Sequence, residues 1–165
     1  MHPHSSFMKK ALFTVALTFV LYASLVFPVA AQKQKTLYQR IGGYDTIAAV
    51  VDDFIGSLIA DKRFEKFFAG FSVDSKKRIR QHVIDQFCAA AGGPCVYTGR
   101  DMKTSHEKLN ITNAQFNALA EDLYAALDRV HVPYRLQNQL VAMLAPMQRD
   151  VVKDYKVPEQ TKKLP

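Results

Sequence analysis

The stretch AAAGGPCVYTGRDMKTSH, residues 89–106, decides the fold, because a helix ends and a loop begins within it. Glycine tolerates the left-handed conformation that terminates helices and proline cannot continue a helix, so Gly92-Gly93-Pro94 predicts a helix end. The sequence between this turn and Met102 has no helical period, which predicts a loop. Loops carry functional residues more often than the elements that they connect. The last residue of the stretch, His106, follows this loop and is one of the few histidines of the chain.

Apolar residues recur at spacings of three and four on both sides of this stretch, which is the pattern of amphipathic helices. The first stripe consists of Val50, Val51, Phe54, Ile55, Leu58 and Ile59. The predicted helical segments are residues 50–59, 64–68, 78–91, 112–130 and 133–151. Pro146 is expected to bend or interrupt the last one. Because no sustained alternation of period two indicates strands, the sequence predicts an all-α domain.

The first 31 residues have the pattern of an export signal. Two lysines precede an apolar run over residues 11–27, and Val29-Ala30-Ala31 fits a cleavage site. A single membrane anchor is the alternative, since this run approaches the ~20 apolar residues that span a bilayer. Pro28 interrupts the run and the cleavage motif follows at once, which favours removal. Either Met1 or Met8 can be the start of the chain.

The sequence thus divides into a signal peptide over residues 1–31, a short polar lead over 32–36, one helical domain over 37–152 and a polar basic tail over 153–165. We expect the cleaved chain to be periplasmic and not an integral membrane protein. Loss of the signal lowers the formal charge from +7 to +5, because Lys9 and Lys10 leave with it. The remaining excess is modest and lies mostly at the ends, so no nucleic-acid partner is expected.

Known short motifs for hydrolases and nucleotide-binding proteins are missing from the sequence. There is no Cys-x-x-Cys or His-Glu-x-x-His spacing, nucleophile elbow, P-loop or dinucleotide fingerprint. With only His82, His106 and His131 after residue 31, a three-histidine zinc site is also poorly supported.

Several other motifs follow one another in a definite order. They are Leu37-Tyr38, Ile41-Gly42-Gly43, Val51-Asp52-Asp53-Phe54, Phe67-Phe68-Ala69-Gly70, Gly92-Gly93-Pro94, Tyr97-Thr98-Gly99, Ser105-His106 and Leu144-Ala145-Pro146. In this order and spacing the chain resembles the group 1 truncated haemoglobins, from about Leu37 to Val152. The resemblance implies a truncated globin fold, a two-on-two sandwich of antiparallel helix pairs around a haem.

The proximal histidine of that family falls on His106, which is thereby implied to bind the haem iron. A neutral imidazole nitrogen binds haem iron well, and a short helix after a loop lets the ring reach the metal. On the sequence pattern alone, His106 could also be a packed or surface histidine.

The resemblance also implies a set of residues that line the haem. They are Phe54, Ile55, Phe68, Ile79, Val83, Phe87, Tyr97, Thr98, Met102, Phe116 and Leu119. Core packing alone would explain the phenylalanines about as well. The Cys-x-x-Cys-His motif of c-type attachment is missing, so the expected cofactor is haem b held without a covalent link.

The side of the haem where gases bind departs from the family pattern. Many relatives have a tyrosine where Ile55 stands, and Ile79 and Val83 take the places of glutamines. The usual hydrogen-bond network to bound oxygen is therefore expected to be absent. His82 projects near the same face, and some family members have an iron-binding histidine at this place. His82 is implied to close on the iron opposite His106, and the alternative is a solvent-facing histidine.

Cys88 and Cys95 are the only cysteines, and they bracket the Gly92-Gly93-Pro94 turn. Export would permit a disulfide, which would contribute roughly 2–3 kcal/mol in the chain-entropy picture and stiffen the turn. The alternative is a buried thiol at Cys88 and a free thiol at Cys95.

Together these observations predict a monomeric haem protein of the cell envelope that binds oxygen or other diatomic gases (O2, NO, CO). Alternatives are periplasmic electron transfer or NO detoxification with an unknown reductase or electron donor. A peroxidase would need a distal charged residue, but Arg78 and Arg80 flank Ile79 and are expected to point to solvent. A haem-free helical interaction module is the remaining alternative, and the intact proximal pattern argues against it.

Overall fold

The computed structural model describes residues 34–156, whose regular elements are helices joined by turns and loops. The elements are α1 (Leu37–Ile41), α2 (Tyr44–Ala60), α3 (Glu65–Phe68), α4 (Val73–Ala90), α5 (Met102–His106), α6 (Asn113–Arg129), α7 (Tyr134–Val141), a 3₁₀ helix (Ala145–Met147) and α8 (Gln148–Val151). In this range the one strand-like feature is an isolated parallel bridge between Ile111 and Val152. The all-α prediction is confirmed.

Two sequence predictions concern parts of the chain at the edges of the described range. The export signal predicted over residues 1–31 lies outside the described residues, as does the tail after residue 156. Within residues 34–156, no helix is both long enough and apolar enough to cross a membrane.

Side-chain caps define where the helices begin. The Thr112 hydroxyl accepts from the amide of Gln115 at 3.2 Å, and the Gln115 side chain accepts from the Thr112 amide at 3.1 Å. This reciprocal pair satisfies two amides that a helix start leaves free, and it confirms Thr112 as the cap of α6. Pro146 lies in the 3₁₀ segment between α7 and α8, so the predicted interruption of the last helix is also confirmed.

Helix α4 begins earlier than the apolar pattern indicated. The predicted segment started at Arg78, whereas the helix starts at Val73, where Ser72 accepts from the amide of Ser75 at 3.1 Å. The residues of this first turn are mostly polar and Val73 is 69% exposed, so they carry no apolar stripe. The cap, and not burial, sets this boundary.

Helix α2 lies at the centre of the fold, packed against α4 and α6. The most buried side chains come from these three helices: Val51, Ile84, Cys88, Leu123 and Leu127 have no exposed surface. Ile59, which the sequence assigned to the inward stripe of α2, is 36% exposed. That assignment is wrong, because Ile59 lies at the edge of the stripe and one residue before the end of the helix, where an apolar side chain can remain exposed.

Ion pairs on the outside of this core link the same helices. Arg80 of α4 donates to both carboxylate oxygens of Asp52 on α2, and Arg129 of α6 donates to Asp53. The hydrogen bonds from Arg80 hold the pKa of Asp52 below its usual value. Because these groups are substantially exposed, the pairs fix orientation more than they add stability.

Candidate functional site

His106 is the last residue of α5, and its ring is held by the backbone of its own helix. The Nδ1 atom lies 2.8 Å from the carbonyl oxygen of Met102, one turn earlier. A carbonyl can only accept, so Nδ1 carries the proton and Nε2 keeps its lone pair. A hydrogen bond at the ring nitrogen that does not bind the metal is what orients metal-binding histidines in proteins. This hydrogen bond leaves Nε2 as the ring nitrogen of His106 that could bind a metal.

The short helix that carries His106 is fixed at its start by Asp101. The carboxylate of Asp101 accepts from the Thr104 amide at 2.8 Å and from the Thr104 hydroxyl at 2.7 Å. The bond from the Thr104 amide is the largest cause that lowers the pKa of Asp101, so the cap stays ionised at neutral pH. A five-residue helix has little stability of its own, and this cap helps to hold His106 in place.

A half-buried stripe of α4 contains the second histidine. Its members are Ile79, His82, Val83, Gln86 and Phe87. The Nδ1 atom of His82 is buried and has no hydrogen-bond partner among the described residues. Its ring instead meets the ring of Tyr97 edge-on, with centroids 6.1 Å apart and planes at 72°. A buried imidazole nitrogen without a partner is costly, so its presence here calls for an explanation.

Gln86 is a residue of this stripe that the sequence analysis missed. Its amide nitrogen lies 3.5 Å from the sulfur of Met102 and 3.6 Å from the sulfur of Met147. Gln86 thus connects α4 with the helix of His106 and with the 3₁₀ helix that contains Met147, beside a cavity of about 30 Å³. Thioether sulfur is a weak acceptor, so the amide is poorly satisfied. The sequence did indicate this position, because Gln86 lies four residues after His82 and therefore on the same face of the helix.

The structure places the other predicted lining residues at different depths. Phe54 and Phe116 are buried in the hydrophobic core at 4% and 7% exposure. A second set packs partly buried against that core: Ile55, Phe68, Val83, Phe87, Met102 and Leu119. Thr98 is exposed and Ile79 is half-buried.

The loop between α4 and α5 is anchored at both ends. Cys88 and Cys95 are joined by a disulfide, which ties the loop to the last turns of α4. The Tyr97 hydroxyl donates to the carbonyl of Arg100 at 2.7 Å, and burial raises the pKa of Tyr97. At Gly93 a Cβ atom would lie 2.5 Å from the Tyr38 ring and 2.7 Å from the Cys88 sulfur, so the turn requires glycine.

These residues fit a flat apolar group that carries a metal. Two histidines lie on the separate helices α4 and α5, and the side chains around them are mostly aliphatic, aromatic or thioether. Within the described range no three His, Cys, Asp or Glu side chains form a cluster that could hold a metal ion. A metal here would thus depend on a cofactor that supplies its other ligands.

Comparisons with known proteins agree with this geometry. A sequence profile of bacterial-like globins matches residues 36–153. The group 1 truncated haemoglobin GlbN of Mycolicibacterium paratuberculosis is 32% identical over 116 residues, which cover 70% of this chain and 83% of that protein. The GlbN protein of Synechocystis is 36% identical over 112 residues, covering 66% of this chain and 88% of its own length.

Solved structures are similar over the same part of the chain. The Fe(III) form of the truncated haemoglobin from Tetrahymena pyriformis superposes with a TM-score of 0.67 at 26% identity, and covers 73% of this chain and 100% of that one. The 2/2 haemoglobin of Synechococcus, in the cyanomet state and with covalently attached haem, gives a TM-score of 0.65 at 28% identity, covering 72% and 98%.

Proposed function

This chain belongs to the group 1 truncated haemoglobins, and on that premise we propose that it binds haem b and, through it, oxygen or other diatomic gases. The observation that carries the proposal is the hydrogen bond between His106 Nδ1 and the Met102 carbonyl, because it leaves Nε2 as a ligand. Haem iron supplies the site that coordinates a gas, and the protein decides how readily it does so.

A non-covalent haem is supported by the state of the cysteines. The chain contains two cysteines, and both are in the Cys88–Cys95 disulfide. No thiol is therefore left for a thioether link to a haem vinyl group. Met102, Val83 and Phe87 would instead hold the group by apolar contact, as half-buried side chains around the two histidines.

On the opposite side from His106, we propose that His82 serves as the distal ligand. His82 lies in the half-buried stripe of α4, and the positions Ile55, Ile79 and Val83 offer no hydrogen-bond donor. A gas would have to displace the His82 ring, so apparent gas affinity falls with the fraction of protein in which the ring is away.

The ferric absorption spectrum tests the role of His82. We expect a low-spin spectrum for the native protein and a high-spin, water-ligated one for His82→Ala, because the variant lacks the second imidazole. His131→Asn is the matched control, since His131 is exposed and has a backbone φ of +60°, which asparagine tolerates. A high-spin native spectrum that His82→Ala does not change would refute distal ligation.

The second candidate function is redox chemistry in the cell envelope, either electron transfer or NO detoxification. It is favoured by the apolar residues Ile55, Ile79 and Val83, which provide no donor to stabilise bound oxygen. This function needs a reductase or another electron donor as a partner, whereas gas binding by a monomer needs none.

We also propose that the protein acts outside the cytoplasm. The signal-like pattern of residues 1–31 supports export, and the disulfide is typical of proteins in oxidising compartments. We expect the mature protein purified from the periplasm to begin at Gln32, as measured by N-terminal sequencing. An intact N-terminus in the soluble cytoplasmic fraction would contradict export.

A further inference from the structure

We propose that Tyr97 is a positioning residue for His82, and that the Cys88–Cys95 disulfide keeps Tyr97 in place. The inference rests on the proposed role of His82 as the distal ligand. It implies that the loop between α4 and α5 helps to control which ligand the iron binds.

The first step concerns what holds the His82 ring. Its Nδ1 atom has no hydrogen-bond partner among the described residues, so no polar contact fixes the orientation of the ring through that atom. The ring does meet Tyr97 in an edge-on contact, with centroids 6.1 Å apart. Aromatic contacts of this kind are favourable beyond the area that they bury. Packing against Tyr97 therefore helps to restrain the His82 ring, and Nε2 would be the nitrogen that binds a metal.

The second step concerns what holds Tyr97. Its hydroxyl donates to the carbonyl of Arg100 at 2.7 Å, which closes a small turn within the loop. A Cβ atom at position 99 would lie 2.4 Å from this hydroxyl and 2.5 Å from the adjacent ring carbon. The phenol can therefore lie across the loop only because residue 99 is glycine.

The third step concerns the covalent anchor. Cys95 lies two residues before Tyr97, and it is bonded to Cys88, which lies six residues after His82 on the same helix. Six helical residues span about 9 Å. The helix from His82 to Cys88, the disulfide, and the loop from Cys95 to Tyr97 thus form one covalent connection. The contact between the Tyr97 and His82 rings closes it. Without the disulfide, the loop would lose its fixed point next to Tyr97.

The ferric spin state is the first measurement. We expect Tyr97→Ala and the double variant Cys88→Ala/Cys95→Ser each to raise the ratio of high-spin to low-spin haem about two- to tenfold, because a less ordered ring ligates less often. Tyr97→Phe keeps the ring but loses the bond to the Arg100 carbonyl, so its spectrum should lie between those of the native protein and Tyr97→Ala. Tyr134→Ala is the matched control, since Tyr134 is 70% exposed on α7.

The protein reconstituted with zinc protoporphyrin, which is diamagnetic and binds no gas, gives a second readout that does not depend on iron ligation by His82. We expect a nuclear Overhauser contact between the rings of His82 and Tyr97 in the native protein, and its loss in the double cysteine variant. Absence of this contact in the native protein, or its persistence without the disulfide, would overturn the inference. If the contact behaves as expected but His82→Ala leaves the ferric spectrum unchanged, distal ligation fails and the positioning of His82 by Tyr97 stands.

Discussion

His106→Ala is expected to lower haem affinity by more than about 100-fold, since losing even a partner of a metal ligand costs 10–100-fold. The protein purified after expression with ample haem should then show little or no Soret absorbance. The reason is the geometry of α5, where the Met102 carbonyl fixes Nδ1 of His106 and leaves Nε2 as the nitrogen that would bind the iron. Added imidazole should restore part of the absorbance, because it can replace the missing side chain.

The control for this prediction is His131→Asn, which removes an exposed histidine at the end of α6 and should leave haem binding intact. Circular dichroism of His106→Ala should still show a helical protein, since His106 is not part of the buried core. Full haem loading of a folded His106→Ala protein would remove this residue as the proximal ligand, and with it the observation that carries the proposed function.

Ile55→Tyr is expected to slow oxygen release by about tenfold or more. A tyrosine hydroxyl at this position would donate a hydrogen bond to bound oxygen, and a bond to a partly charged group stabilises by roughly 1.5–3 kcal/mol. Ile55 is half-buried on α2 and packs against the core, so the native residue supplies apolar contact only. Stopped-flow displacement of oxygen by carbon monoxide measures the rate.

The experiment is best done with His82→Ala in both proteins, so that the distal histidine does not compete for the iron. Ile55→Phe is the matched control, because it adds the same ring without the hydroxyl. If tyrosine and phenylalanine at position 55 change the release rate equally, bulk and not hydrogen bonding is responsible, and the assignment of Ile55 to the gas side fails.

Much of the fold could be predicted from local patterns. The cap at Thr112, the interruption at Pro146 and the helix end at Gly92 depend on backbone preferences of single residues, and these act in the same way in any fold. The start of α4 was predicted five residues too late, because its first turn is exposed and carries no apolar stripe. Ile59 was misassigned because an apolar residue at the edge of a stripe can face solvent without breaking the period.

The candidate site, like the fold, was predicted only in part from the sequence. Its histidines and the lining positions came from motifs in the sequence, whereas Gln86 was missed although its spacing from His82 was visible. A glutamine in an apolar stripe is normally interpreted as a surface residue when its neighbours in the fold are unknown. Only the structure places its amide between the sulfurs of Met102 and Met147.

The sequence by itself determined the helical class and the family, because periodicity, caps and ordered motifs are local properties of the chain. The tertiary structure decided which of the open alternatives at Cys88 and Cys95 holds, and which groups surround His82. Those questions depend on distances between residues that lie in different elements. Such distances are set by how α4 and the following loop pack together, and no local pattern encodes that packing.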